Sequence, residues 1–155
     1  MRSAGSAEVE VRDNPRLLSL EGLEGLTDCS SLSVYGNAHL QSLLGLRGLS
    51  GRISQDLEIM WNQNLSNLRG LEGIRSIGGL RISSNAGLRS LAALGGIRGK
   101  VAGKITVSNN PELLSLHGLQ RLTGQGLIPR GRPKKCVVVS RNAKLESVEA
   151  AARRP

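Results

Sequence analysis

The chain has 155 residues and a formal net charge of +9, with no Phe, one Tyr and one Trp. Its 43 Leu, Ile and Val residues exclude intrinsic disorder and require an aliphatic interior. No apolar run reaches the roughly 18 residues of a membrane helix, and the opening MRSAGSAEVEVRDNP lacks the apolar segment of a signal peptide, so the default expectation is a cytoplasmic chain.

Six asparagines organise the elements: Asn14, Asn37, Asn62, Asn85, Asn110 and Asn142, at spacings of 23, 25, 23, 25 and 32. Counted from each Asn, aliphatic residues recur at −5, −3, +3, +6, +9 and +12. The first pair, Val9 and Val11, predicts a short strand with one inward face, because apolar and polar residues alternate there. The next strands are predicted around Leu32–Val34, Leu57–Ile59, Leu80–Ile82, Ile105–Val107 and Val137–Val139. A leucine every third residue after the Asn cannot continue a period of two, so the chain must turn. Ser or Asn at +5 and Gly or Ala at +8 mark the corners. Stacked coils place each Asn above the last, where its amide can pair backbone groups that the corners leave open. A single coil cannot cover its own apolar side, so the coils share one core. The expectation is therefore a mainly β protein, a right-handed parallel β-solenoid of about six coils over residues 9–149. Residues 1–8 form a disordered or truncated segment and residues 150–155 a tail.

The unit L-x-[VI]-x-x-N-x-x-L-x-S-L-x-G-L-x-x-[LI] resembles the receptor L-domain, a relative of the leucine-rich repeats, over residues 9 to about 148. An ordinary leucine-rich repeat has apolar residues at +2 and −8. Here the first comes at +3, and −8 holds Cys29, Ser54, Ile77, Ala102 and Lys134, which favours the L-domain variant. The resemblance implies a right-handed solenoid with a binding role, and a cell-surface or extracellular location if the chain is part of a longer protein. Receptor L-domains also carry disulfides, a signal peptide and Cys-rich modules. These are absent from the sequence, so a growth-factor receptor role does not carry over. The shared motif is all core, so no functional residue carries over either.

The exposed strand positions give the first candidate surface. Column −2 reads Arg12, Tyr35, Met60, Ser83, Ser108, Ser140, and column −1 reads Asp13, Gly36, Trp61, Ser84, Asn109, Arg141. The sole Tyr and Trp thus fall on adjacent coils of one face, beside Glu58 in column −4. Arg12, Tyr35, Glu58, Met60 and Trp61 are the expected contacts for a protein or glycan ligand, since amphipathic rings on an exposed sheet anchor partners well.

The second candidate is basic. Residues 79–155 carry 14 Lys/Arg against 3 Asp/Glu, whereas residues 1–78 carry 7 against 9. The last Asn spacing exceeds the longer ones by seven, which suggests a loop insertion near 126–136. Its string Pro129-Arg130-Gly131-Arg132-Pro133-Lys134-Lys135 is similar to the AT-hook, in which arginines flanking a glycine enter the minor groove of A·T-rich DNA. The resemblance implies Arg130, Gly131 and Arg132 in the groove, with Lys134 and Lys135 on phosphates. Nucleic-acid binding is the alternative function.

Nothing in the sequence calls for a cofactor. Cys29 and Cys136 are expected four coils, or roughly 19 Å, apart, too far for a disulfide. His39 and His117 lie three coils apart in different columns, so no metal site is expected. The carboxylates Glu10 and Glu58 share a column but lack the support that glycoside hydrolysis requires, and no enzyme is expected. The short segments before Val9 and after Val148 would cap the stack poorly, which raises end-to-end association or a longer parent solenoid.

Overall fold

The computed structural model describes residues 7–99, 101–123 and 137–146. Its strands are β1 (Glu8–Arg12), β2 (Ser31–Tyr35), β3 (Gly51–Met60), β4 (Ile74–Ser83), β5 (Ile105–Ser108) and β6 (Val137–Ser140). They form one six-stranded sheet in chain order, and every neighbouring pair is parallel. Parallel neighbours in chain order require the chain to wind once between them, so the molecule is a β-solenoid, with about four turns. Among the described residues helix is almost absent: two 3-10 turns at Leu44–Leu46 and Ala92–Gly96, and one helical turn, α1, at Gln120–Thr123.

The leucine period of three has a direct cause. The N–H at +3 donates to the Asn carbonyl, as Leu40 does to Asn37 (3.0 Å) and Leu113 to Asn110 (3.1 Å). The same i to i+3 bond recurs from +9 to +6 and from +12 to +9, as in Leu46 to Leu43 (2.8 Å) and Leu49 to Leu46 (2.9 Å). Tight three-residue turns point each aliphatic residue inward, and all of them in the central coils are buried. At the corners, the +5 side chain accepts the N–H two residues on: Ser42 from Leu44 (3.1 Å), Asn67 from Arg69 (3.0 Å) and Ser90 from Ala92 (3.2 Å).

The Asn column forms a continuous ladder. Each Asn Oδ1 accepts the backbone N–H of the Asn in the coil before, at 3.0–3.1 Å from Asn14 through to Asn142. From Asn37 to Asn142 each Nδ2 donates to the −3 carbonyl of that earlier coil, as Asn62 does to Val34 (2.9 Å) and Asn85 to Ile59 (2.9 Å), while Asn14, in the first coil, donates to Arg12 (2.9 Å). Asn37, Asn62, Asn85 and Asn110 are fully buried, and among the described residues no buried side-chain polar atom lacks a partner.

Two features extend or correct the sequence reading. First, a seventh inward position precedes each inner strand: Cys29, Ile53, Ile77 and Val101 are all buried. In the two 25-residue coils it falls at −9, so Ser54 and Ala102 at −8 are exposed. On β3 the extra residue is taken up by a register shift between Ile53 and Asp56 against β4. An apolar slot before the strand therefore exists, and its apparent absence no longer separates this repeat from ordinary leucine-rich repeats.

Second, the coils alternate with a 48-residue period. Gly22, Gly70 and Gly118 share positive φ (+102°, +110°, +111°), and each donates its N–H to the side chain two residues on: Glu24 (2.9 Å), Glu72 (2.7 Å) and Gln120 (2.7 Å). The 3-10 turns occupy the coils of Asn37 and Asn85, where Ala38 and Ala86 follow the Asn, as Ala143 follows Asn142. The coil after Asn110 thus belongs to the 23-residue class. Its spacing of 32 exceeds that class by nine residues, not seven.

Candidate functional site

The inward −5 and −3 positions leave −4 and −2 on the outer face of the sheet, and strand pairing fixes their register. Column −2 runs Arg12, Tyr35, Met60, Ser83, Ser108, Ser140 across the six strands. Column −4 runs Glu10, Ser33, Glu58, Arg81, Thr106, Val138. The structure therefore brings Tyr35, Met60 and Glu58 onto neighbouring strands, with Arg12 at the edge beside Tyr35. Tyr35 and Met60 are half-buried, while Trp61 is 51 % exposed.

Column −1 carries a feature missed in the sequence. Asp13, Gly36, Trp61, Ser84, Asn109 and Arg141 all have left-handed φ, between +55° and +69°. The stack imposes this conformation: the column −1 N–H donates to the column −2 carbonyl of the next coil, as Trp61 does to Ser83 (3.1 Å) and Ser84 to Ser108 (3.0 Å). Gly, Asn and Asp accept this region readily, and their presence in one column was the available signal. Trp does not. At Trp61 the stack thus holds a bulky ring at φ +59°, with half its surface in solvent, at the same left-handed cost that Ser84 and Arg141 carry.

Charge divides the same face. Glu8, Ser31, Ser33, Gln55, Asp56 and Glu58 line a shallow groove of about 220 Å³ over β1–β3. Arg81 and Lys104 stand on the neighbouring β4–β5 side, with Arg81 forming an ion pair with Glu58 (3.8 Å). Arg12 pairs with Glu10 (3.2 Å). Both pairs are substantially solvated and contribute little to stability.

Away from the face, Cys29 is a buried free thiol, and burial pushes its pKa up, with Asp28 adding to the shift. Cys136 lies outside the described residues, as do Arg130, Gly131, Arg132, Lys134 and Lys135, so the hook-like segment and the expected separation of the two cysteines have no structural counterpart here. The histidines stay apart: His39 meets the Pro15 carbonyl, and His117 meets Gln120. Among the described residues no group of His, Cys, Asp and Glu is arranged to hold a metal ion, and no helix is long and apolar enough to cross a membrane. Comparison with protein-family models, curated proteins and solved structures gives no match.

Proposed function

We propose that this chain is a non-catalytic binding scaffold, a solenoid of the receptor L-domain type that recognises a protein or glycan through its outer sheet face. The observation that carries the reading is Trp61, half-exposed and next in the chain to Met60, which pairs in register with Tyr35. Rings of this kind supply large contact area at small entropic cost. The solenoid beneath supplies a flat, rigid platform whose side chains are fixed by strand register.

The test is a screen of the chain against an oligosaccharide array and a displayed random-peptide library. Binding to a selected probe should be lost in Trp61→Gly combined with Tyr35→Ser, and kept in Arg98→Ala, an exposed change outside the strands. Probes bound equally by all three proteins would place recognition elsewhere. Ionic strength separates the alternative reading, a nucleic-acid binder using the basic half. Phosphate contacts make affinity fall steeply with salt, and aromatic anchoring does not.

A further inference from the structure

The outer face is complementary to itself about the line between β3 and β4. The bulky members of column −2, Arg12, Tyr35 and Met60, lie on β1–β3, and three serines, Ser83, Ser108 and Ser140, lie on β4–β6. Acidic residues gather on the β1–β3 side at Glu8, Glu10, Asp56 and Glu58, and Arg81 and Lys104 stand on the other, with Arg12 and Arg52 as basic residues on the acidic side. A two-fold axis parallel to the strands and above this line lays β1 over β6, β2 over β5 and β3 over β4 of a second copy. Rotation about such an axis preserves height along the strands, so each residue faces its own column.

From these placements we infer that the partner of this face is a second copy of the same chain, in a face-to-face two-fold dimer. The inference rests on the reading of the sheet face as a binding surface and names its occupant. In the dimer Tyr35 stands over Ser108 and Met60 over Ser83, a large side chain on a small one in each case. Trp61 covers Ser84. Glu58 meets Arg81 of the second copy, so these two residues and their symmetry mates make a ring of four alternating charges around the axis. Asp13 faces Arg141 at the rim. Among the described residues of these columns no like charges are opposed.

The other in-plane two-fold, perpendicular to the strands, would lay each strand on its own copy. It would bring Asp56 and Glu58 against Asp56 and Glu58, which disfavours it. Stacked sheets lie about 10 Å apart, a gap that Glu and Arg side chains reaching from both sides can close. An isologous contact also closes on itself and stops at two copies.

The area sets the strength. Six strands at about 4.8 Å spacing and roughly 17 Å length give a face of about 450 Å², or roughly 900 Å² counted over both copies. That lies at the low end for specific interfaces, so the dimer is weak and its dissociation constant falls in the micromolar range or above.

The experiment is sedimentation of the parent chain from micromolar to millimolar concentration, together with Glu58→Arg and Arg81→Glu. Each swap places like charges at both symmetry-related contacts, so each variant alone should dimerise at least about tenfold more weakly than the parent. Mixing the two variants sets opposite charges against each other at both contacts and should restore a 1:1 heterodimer. The intramolecular Glu58–Arg81 pair stays broken in both chains, so restored folding cannot produce that result. Circular dichroism checks that each variant keeps the parent fold. A parent that stays monomeric to about 1 mM overturns the inference, as does a dimer that ignores both swaps, which end-to-end stacking would give. Failure of the variants to pair on mixing overturns it too. A monomeric parent that still binds oligosaccharide or peptide probes through Trp61 leaves the scaffold reading standing, so the two failures can be told apart.

Discussion

The side-chain oxygen of Asn62 accepts the backbone N–H of Asn37 at 3.1 Å, across a coil boundary and 25 residues of chain. Its amide nitrogen donates to Val34 at 2.9 Å in that same earlier coil. One buried side chain thus satisfies two main-chain groups that strand pairing does not reach. Asn62→Leu keeps the branched shape, with somewhat larger methyl groups, and removes both bonds. Leaving a buried backbone N–H and C=O unpaired should cost at least about 2 kcal/mol. Urea denaturation measures this, and a midpoint equal to the parent's would mean that the ladder contributes nothing.

The tight corners make a paired prediction. A Cβ on Gly70 would lie 2.1 Å from the Leu43 carbonyl oxygen in the coil before, whereas a Cβ on Gly22 meets nothing within 4 Å. Both glycines have positive φ, so both Ala substitutions carry backbone strain of about 1–2 kcal/mol. Only Gly70→Ala adds a steric overlap, which must push two coils apart. Gly70→Ala should therefore lower the urea midpoint clearly more than Gly22→Ala. Equal losses would show that φ alone selects glycine here.

The solenoid was legible because it is written several times. Each aliphatic column, the Asn ladder and the +5 corners follow from side-chain type and spacing, and repetition separates them from chance. The seventh inward column was not legible at fixed offset, because Ile53 and Val101 lie one place earlier than Cys29 and Ile77. A register shift is a backbone adjustment that residue counting cannot detect. The left-handed column was written in Gly36, Asn109 and Asp13, but Trp61, Ser84 and Arg141 obscured it. The face itself was only half legible. Column membership placed Tyr35, Met60 and Trp61 together and already set Ser83, Ser108 and Ser140 in line with them, while the Glu58–Arg81 ion pair and the acidic groove over β1–β3 needed the folded geometry.

Cys29 gives a pH prediction. Burial raises its pKa, so the folded state favours the neutral thiol, whereas the unfolded thiol ionises from about pH 8.5. Between these two values the folded state binds more protons, and stability falls as pH rises. Below about pH 8 both states are protonated and the contribution is constant. The parent should therefore lose stability above about pH 8.5, with a steeper slope than Cys29→Ala. The alanine variant is less stable throughout because it leaves a cavity, but it lacks this titration. Denaturation curves from about pH 7 to about pH 9.5 supply the comparison, and parallel slopes would exclude the thiol as the cause.

Trp61 is the residue whose substitution separates binding from folding. Its φ of +59° is imposed by the bond from its N–H to the Ser83 carbonyl, and glycine occupies the equivalent place at Gly36. Trp61→Gly removes left-handed strain of about 1–2 kcal/mol and adds unfolded-state entropy of about 1 kcal/mol. The indole is half exposed, so roughly 100 Å² of sheltered surface is lost, a cost of about 2–3 kcal/mol at most. Set against the relieved strain, the urea midpoint should fall by the equivalent of no more than about 2 kcal/mol. Trp61→Val, by contrast, places a β-branched side chain in the same conformation and should destabilise the fold. If Trp61→Gly loses ligand binding while its loss of stability stays within about 2 kcal/mol, the ring serves recognition. If it lowers stability by clearly more than that, the indole is a structural cover over the strand ends, and the binding surface must be sought on another part of the coil.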